Sequence, residues 1–283
     1  MKKIHSELSV TAYVLCKKPR ARDFLDALFS LPEELLPEFW YELEPNPKSK
    51  RLYLSKDRER LISETLEFGT FGSFDHKDYA LRADYFLPDA GLPHQDSVSF
   101  SFYVRPKRKG KSKSVDIRPA MDVFDHFARH LDTYCAYASS YPEEQALSQA
   151  RALAALSKDK RDCTLAQYEQ MLGIVRSYAD GKLFFPGLRW RSVLSQECID
   201  DYAIDKDDLR SLSVETKIIP ATGSAGDLLD LRFADNPDDW QQYAEQLQIR
   251  SVEADEHRCR VDYFLDELHP KGFLSVQNWN NWL

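Results

Sequence analysis

The sequence predicts an α+β protein in which antiparallel sheets pack against helices, arranged as an N-terminal lobe, 1–142, and an acidic C-terminal lobe, 143–283, joined by a helical middle section. One continuous domain is the alternative for a chain of 283 residues. Three observations carry the fold class. Two strand-like stretches lie close together in the first half, a second strand pair lies in the last third, and helical periodicity fills the space between. Neither a regular βα alternation nor a self-similar period of roughly 20 to 50 residues is visible, so parallel α/β and solenoid folds are set aside.

The elements follow in order. "LSVTAYVLC" (8–16) alternates apolar with small or polar residues and reads as a strand. "RARDFLDALFSL" (20–31) places Phe24, Leu25, Leu28 and Phe29 at helical spacing, with Pro19 suited to its first turn. Pro32, Pro37, Pro45 and Pro47 break up the next segment, where "FWYEL" (39–43) is a short aromatic strand. "SKDRERLISETLEF" (55–68) starts on a Ser55 cap, carries Leu61, Ile62 and Leu66 on one stripe, and reads as a helix; "GTFGSF" after it reads as a turn or irregular edge.

The clearest strand pair is 78–88 with 96–106, the second showing Val98, Phe100, Phe102 and Val104 on one face and serines with Tyr103 on the other. "VDIRP" reads as a further strand. The most strongly periodic helix spans 120–138, through Met121, Phe124, Phe127, Leu131 and Tyr134. "EEQALSQARALAALS" and "TLAQYEQMLGIVRSYA" continue as helices, and "LFFPGLRWRSVLS" (183–195) leads to a short helix at "QECIDDYA". Strands at 214–220 and 227–233 are joined by "ATGSAG" as a hairpin. "NPDDWQQYAEQLQI" starts a helix with Asn236 as cap, Pro237 in its first position and Asp238 and Asp239 complementing the dipole; 259–265 is a last strand.

Composition bounds the function. With 43% hydrophobic and 30% charged residues the chain is an ordinary globular protein. No apolar run reaches the roughly 18 residues of a membrane helix, and "MKKIHSELSV" lacks an apolar signal region, so a cytoplasmic location is expected. The five cysteines, Cys16, Cys135, Cys163, Cys198 and Cys259, are scattered without metal-site spacing and read as reduced, mostly buried thiols. The net charge of −8 is unevenly placed: residues 1–142 hold 22 Lys+Arg against 21 Asp+Glu, and residues 143–283 hold 16 against 25.

No glycine-rich phosphate loop occurs, and "TGSAG" (222–226) lies between two predicted strands, where a hairpin turn outweighs a nucleophile elbow. His126 and His130 stand four apart on the strongest helix, with Asp122 and Asp125 nearby, which opens an alternative as a metal-dependent hydrolase. The zincin pattern, however, needs Glu directly after the first histidine, where this chain has Phe127. A basic run at 105–113, with six Lys/Arg in nine residues, opens a second alternative, nucleic-acid binding; it lacks interleaved aromatics and belongs to an acidic protein, so a solvated loop is favoured. The more unusual feature is the aspartate series Asp200, Asp201, Asp205, Asp207, Asp208, Asp227, Asp230, Asp235, Asp238 and Asp239, a field suited to a basic partner and repulsive to nucleic acid.

The order from "LFFPGLRWRSVLS" through "DNPDDWQQYAEQLQIRSV" resembles the C-terminal half of bacterial polymorphic-toxin immunity proteins, notably immunity-protein family 52 and the related type VI secretion immunity family. Trp190, Gly226, Asp227, Asp235, Tyr243 and Arg250 carry the match, and "FLDALFSLPEELLPEFWYE" followed by "SKDRERLI" fits that family's early helix and aromatic segment. "DLLDLRF" departs from the glycine-rich ending of the pattern. The resemblance implies a non-catalytic cytoplasmic antidote, without cofactor or metal, that binds a cognate toxin of a contact-dependent system such as type VI secretion. It further implies a toxin of restriction-endonuclease-like nuclease class with a basic DNA-binding surface. The expected partner contacts are Asp227, Asp230, Asp235, Asp238, Asp239 and Trp240, with Trp279 and Trp282 as aromatic anchors. No membrane and no direct nucleic-acid partner is expected, and monomer and homodimer both stay open.

Overall fold

Among the described residues, ten antiparallel strands join in one sheet whose order is β3-β2-β4-β5-β6-β1-β7-β8-β10-β9. A computed structural model describes residues 10–17, 21–41, 52–68, 72–86, 99–107, 116–140, 142–143, 188–222 and 226–244. The strands are β1 Val10–Lys17, β2 Phe39–Tyr41, β3 Leu52–Tyr53, β4 Ser73–Asp75, β5 Tyr79–Phe86, β6 Ser99–Pro106, β7 Thr133–Ser140, β8 Arg191–Leu194, β9 Glu215–Ile219 and β10 Leu228–Arg232. The helices are α1 Ala21–Phe29, α2 Arg58–Phe68, α3 Arg118–His130, α4 Gln196–Asp201, α5 Lys206–Leu212 and α6 Gln241–Ala244. The α+β class and the antiparallel pairing are as the sequence predicts. The β7–β8 ladder, running from Cys135↔Leu194 to Ala138↔Arg191, carries the sheet from residues before 142 to residues after 143.

The amphipathic helix α3 supplies much of the core. Its apolar stripe, Ala120, Met121, Val123, Phe124, Phe127 and Ala128, is buried. Phe127 stacks on Phe24 of α1 with ring centroids 5.5 Å apart, and Phe24 meets Phe74 of β4 at 5.9 Å. Burying each such side chain stabilises by about 1.5–3 kcal/mol, which fixes α1 and α3 as one layer over the sheet.

Several expectations held at the level of single elements. β5 and β6 pair antiparallel from Tyr79↔Pro106 to Phe86↔Ser99, and β9 and β10 from Leu228↔Ile219 to Arg232↔Glu215. Asn236 accepts a hydrogen bond from the Asp238 N–H at 3.3 Å and Pro237 opens a short 3-10 turn, so the helix start there is as read. Cys135 and Cys198 are buried thiols.

Others are corrected. The helix expected over 120–138 ends at His130, where Leu131 turns extended (φ −95°, ψ 162°), and "TYCAYASS" forms the central strand β7. Tyr134 continues the helical spacing by coincidence. The β-branched and aromatic residues, interspersed with small ones, suit a strand covered on both faces. Instead of a strand, "VDIRP" leads into α3: Ile117 is already near helical (φ −85°, ψ −11°) and Pro119 sits in the first turn, where its missing N–H costs nothing. From the end of "GTFGSF", Ser73–Asp75 is a strand paired with β2 through Trp40↔Phe74. Helix α2 begins at Arg58, three residues after Ser55, and α5 arises inside the hydrophilic run that carried no helix expectation.

Asp205 caps α5, accepting from the N–H groups of Asp207 (2.9 Å) and Asp208 (3.2 Å). The two middle helices beyond Glu143, the helix past Ala244, the strand at 259–265 and the terminal "SVQNWNNWL" lie outside the described residues. So do the side chains of Ser99 to Tyr103 that the alternation argument used.

Candidate functional site

The acidic end of the sheet is built on β8, β10 and β9. Because Arg232 lies opposite Arg191 and Asp230 opposite Val193, Arg191 and Asp230 are diagonal neighbours on one face. The Arg191 guanidinium donates to both Asp230 oxygens, at 2.9 and 2.8 Å, in a two-pronged ion pair. A third group joins from α3: Asp125 lies 2.7 Å from the same guanidinium, which also stands 5.3 Å from the Phe124 ring centroid. Burial opposes the Arg191 charge, yet the hydrogen bonds it donates to Asp230 and the neighbouring Asp125 hold its pKa above the usual range. For Asp125, desolvation raises the carboxyl pKa above its ordinary 3.8, against the pull of Arg191 and with Asp230 adding repulsion.

A second buried polar group ties the chain together across residue 142. Glu143 is fully buried, and its carboxylate accepts the Trp190 backbone N–H at 2.8 Å and the Tyr243 hydroxyl at 2.7 Å. The Trp190 indole N–H donates to the Ala234 carbonyl at 2.8 Å. Burial and the adjacent Glu143 push the Tyr243 phenol pKa upward. Trp190 and Tyr243, two positions of the family resemblance, are thus core residues. Gly226, a third, has φ +68°, a left-handed conformation that favours glycine.

Of the expected contact residues, Asp227 and Asp235 are exposed, and Asp238, Asp239 and Trp240 are half-buried, with Trp240 packed on the core. Asp230 is 5% exposed and turned inward onto Arg191. Trp279 and Trp282 lie outside the described residues. Asp205, Asp207 and Asp208 are also exposed, as is Asp200. The structure adds two apolar residues to this end: Val214 and Ile218, at 56% and 55% exposure, stand immediately before and within β9. In the sequence they look like any strand residues; only the position of β9 at the end of the sheet exposes them.

The histidine pair has structural partners. His126 Nε2 lies 2.8 Å from the Ala27 carbonyl and 3.2 Å from the Ser30 hydroxyl, joining α3 to α1. His130 Nδ1 bonds the His126 carbonyl at 2.7 Å, and the two rings stack at 4.1 Å. Burial lowers the His126 pKa below 6.5, with the Ala27 carbonyl opposing and His130 adding to the shift. Among the described residues no group of three or more His, Cys, Asp or Glu could hold a metal ion. Asp122 is exposed and does not join the Arg191 ion pairs.

At the start of the basic run Arg105 is exposed, and Lys107 is engaged by Asp75 and the His76 carbonyl; residues 108–113 lie outside the described residues. No described helix is long and apolar enough to cross a membrane.

No protein-family model and no curated protein matches the chain. Among solved structures the chain is similar to T6SS protein PA0821 of Pseudomonas aeruginosa, with 13% sequence identity over 92% of this chain and 86% of that one, at a TM-score of 0.44.

Proposed function

We propose that the chain is a non-catalytic immunity protein that binds a cognate secreted toxin, a nuclease delivered by type VI secretion, and neutralises it by covering its active or substrate-binding surface. One observation carries the reading: of the ten aspartates from Asp200 to Asp239, nine reach solvent, and Asp230 alone is committed to the interior. Solvent-reaching carboxylates in this number favour a basic partner surface and steer the encounter with it. A nuclease presents such a surface to its substrate phosphates. The family resemblance of residues 183–252 supports the same reading.

The test is co-expression with the product of the adjacent open reading frame, followed by pull-down. A stable complex whose affinity falls steeply with salt is expected; no complex at low salt would sink the antidote reading.

A further inference from the structure

Resting on the antidote reading, we infer that the partner docks as an extended Lys/Arg-bearing segment that adds to the sheet along β9. β9 is the last strand in the order, and among the described residues it pairs with β10 alone. A terminal strand offers a row of backbone N–H and C=O groups to an incoming strand, and folded proteins blunt such edges with charge. Here the charges stand aside. Glu215 and Lys217 share one face and pair with each other at 2.6 Å, and Glu215 also meets Arg232 at 2.9 Å. Thr216 and Ile218 share the other face, with Val214 adjoining, and all three are exposed. Besides Val214 and Ile218, Tyr53 at the opposite edge of the sheet is the other large apolar side chain exposed to this degree among the described residues.

Charge selects the occupant. The exposed Asp227 precedes Leu228, which lies opposite Ile219 at one end of β9. At the other end, Arg232 lies opposite Glu215 and reaches Asp235, itself 89% exposed. Helix α5, with Asp205, Asp207 and Asp208 in solvent, leads directly into the strand. Residues 205–244 hold nine Asp/Glu against four Lys/Arg. A second copy docking here antiparallel would set these carboxylates against their own kind, whereas a strand with basic residues at both ends meets them with opposite sign.

The test uses the full chain and the adjacent reading frame's product as probe. Amide hydrogen exchange on the wild-type complex should slow across 214–219, and Val214→Lys with Ile218→Lys should weaken binding by at least about tenfold. Protection confined to other segments overturns the inference without any variant having to fold. A folded double variant that binds like wild type overturns it too, while leaving the antidote reading intact. A free protein that sediments as a dimer, and loses that dimer when Ile218→Lys is introduced, assigns the edge to a second copy and likewise overturns it. Failure of the probe to bind the wild-type chain at all overturns the antidote reading itself.

Discussion

Asp230→Ala should be among the most damaging single changes at the acidic end of the sheet, although it deletes a negative charge from a crowded negative region. The carboxylate is 7% exposed and accepts both prongs of Arg191, whose own side chain is 13% exposed. Removing one side of a buried pair costs about 3–5 kcal/mol, because the remaining charge loses its compensation. Asp125 stays within 2.7 Å of the guanidinium and is 34% exposed, so the loss should fall at the lower end, about 3 kcal/mol.

Asp125→Asn is the matched control. Its surroundings already disfavour the charged form, so the substitution should cost less than about 1 kcal/mol at neutral pH. The pH dependence has a definite sign. A carboxyl whose folded pKa is raised contributes stability below its ordinary 3.8 and loses it as pH rises through the higher folded value. The wild type should therefore gain on Asp125→Asn as pH falls through the carboxylate range. Urea unfolding followed by far-ultraviolet circular dichroism measures both, provided the slopes agree. Equal losses for the two variants, or a loss below about 1 kcal/mol for Asp230→Ala, would refute the assignment of Asp230 as the main partner of Arg191.

Four further predictions rest on the same geometry. Glu143→Ala leaves the Trp190 N–H and the Tyr243 hydroxyl without their acceptor in the interior and should cost about 3 kcal/mol by the same unfolding assay, against about 1 kcal/mol for Tyr243→Phe. His126→Ala, which deletes the bond to Ala27, should cost about 1–2 kcal/mol. Because burial lowers the His126 pKa, its stabilising contribution is present above 6.5 and lost as pH falls through the folded value, so this variant should lose less than wild type on acidification. A chelator should leave the wild-type Tm unchanged, whereas a drop would favour the metal alternative. Gly226→Ala meets no neighbour within 4 Å and should cost about 1 kcal/mol from the left-handed backbone alone, seen as a lower urea midpoint.

The sequence showed the fold class where periodicity was clean. β5, β6, β9 and β10 could be placed because alternation or a turn with small residues marked them. β7 escaped because seven of its eight residues are buried, which erases the two-residue period and leaves an apolar run that extends the neighbouring helix pattern. The surface was half legible. Caps at Asn236 and the exposed aspartates follow from local chemistry, whereas the inward turn of Asp230 depends on the register of β10 against β8, which no local pattern encodes. Glu143, Arg191, Val214 and Ile218 were missed for the same reason: their burial or exposure is set by the order of strands in the sheet.

The most direct measurement is growth rescue in bacteria expressing the adjacent reading frame's product, with the wild-type chain and with a variant carrying Asp207→Lys, Asp208→Lys, Asp227→Lys and Asp235→Lys. All four positions are exposed, so the variant should keep its fold. Rescue by the wild type and its loss in the variant are expected. A toxic product that the wild-type chain does not neutralise would contradict the antidote function, and undiminished rescue by the folded variant would contradict the electrostatic basis given for it.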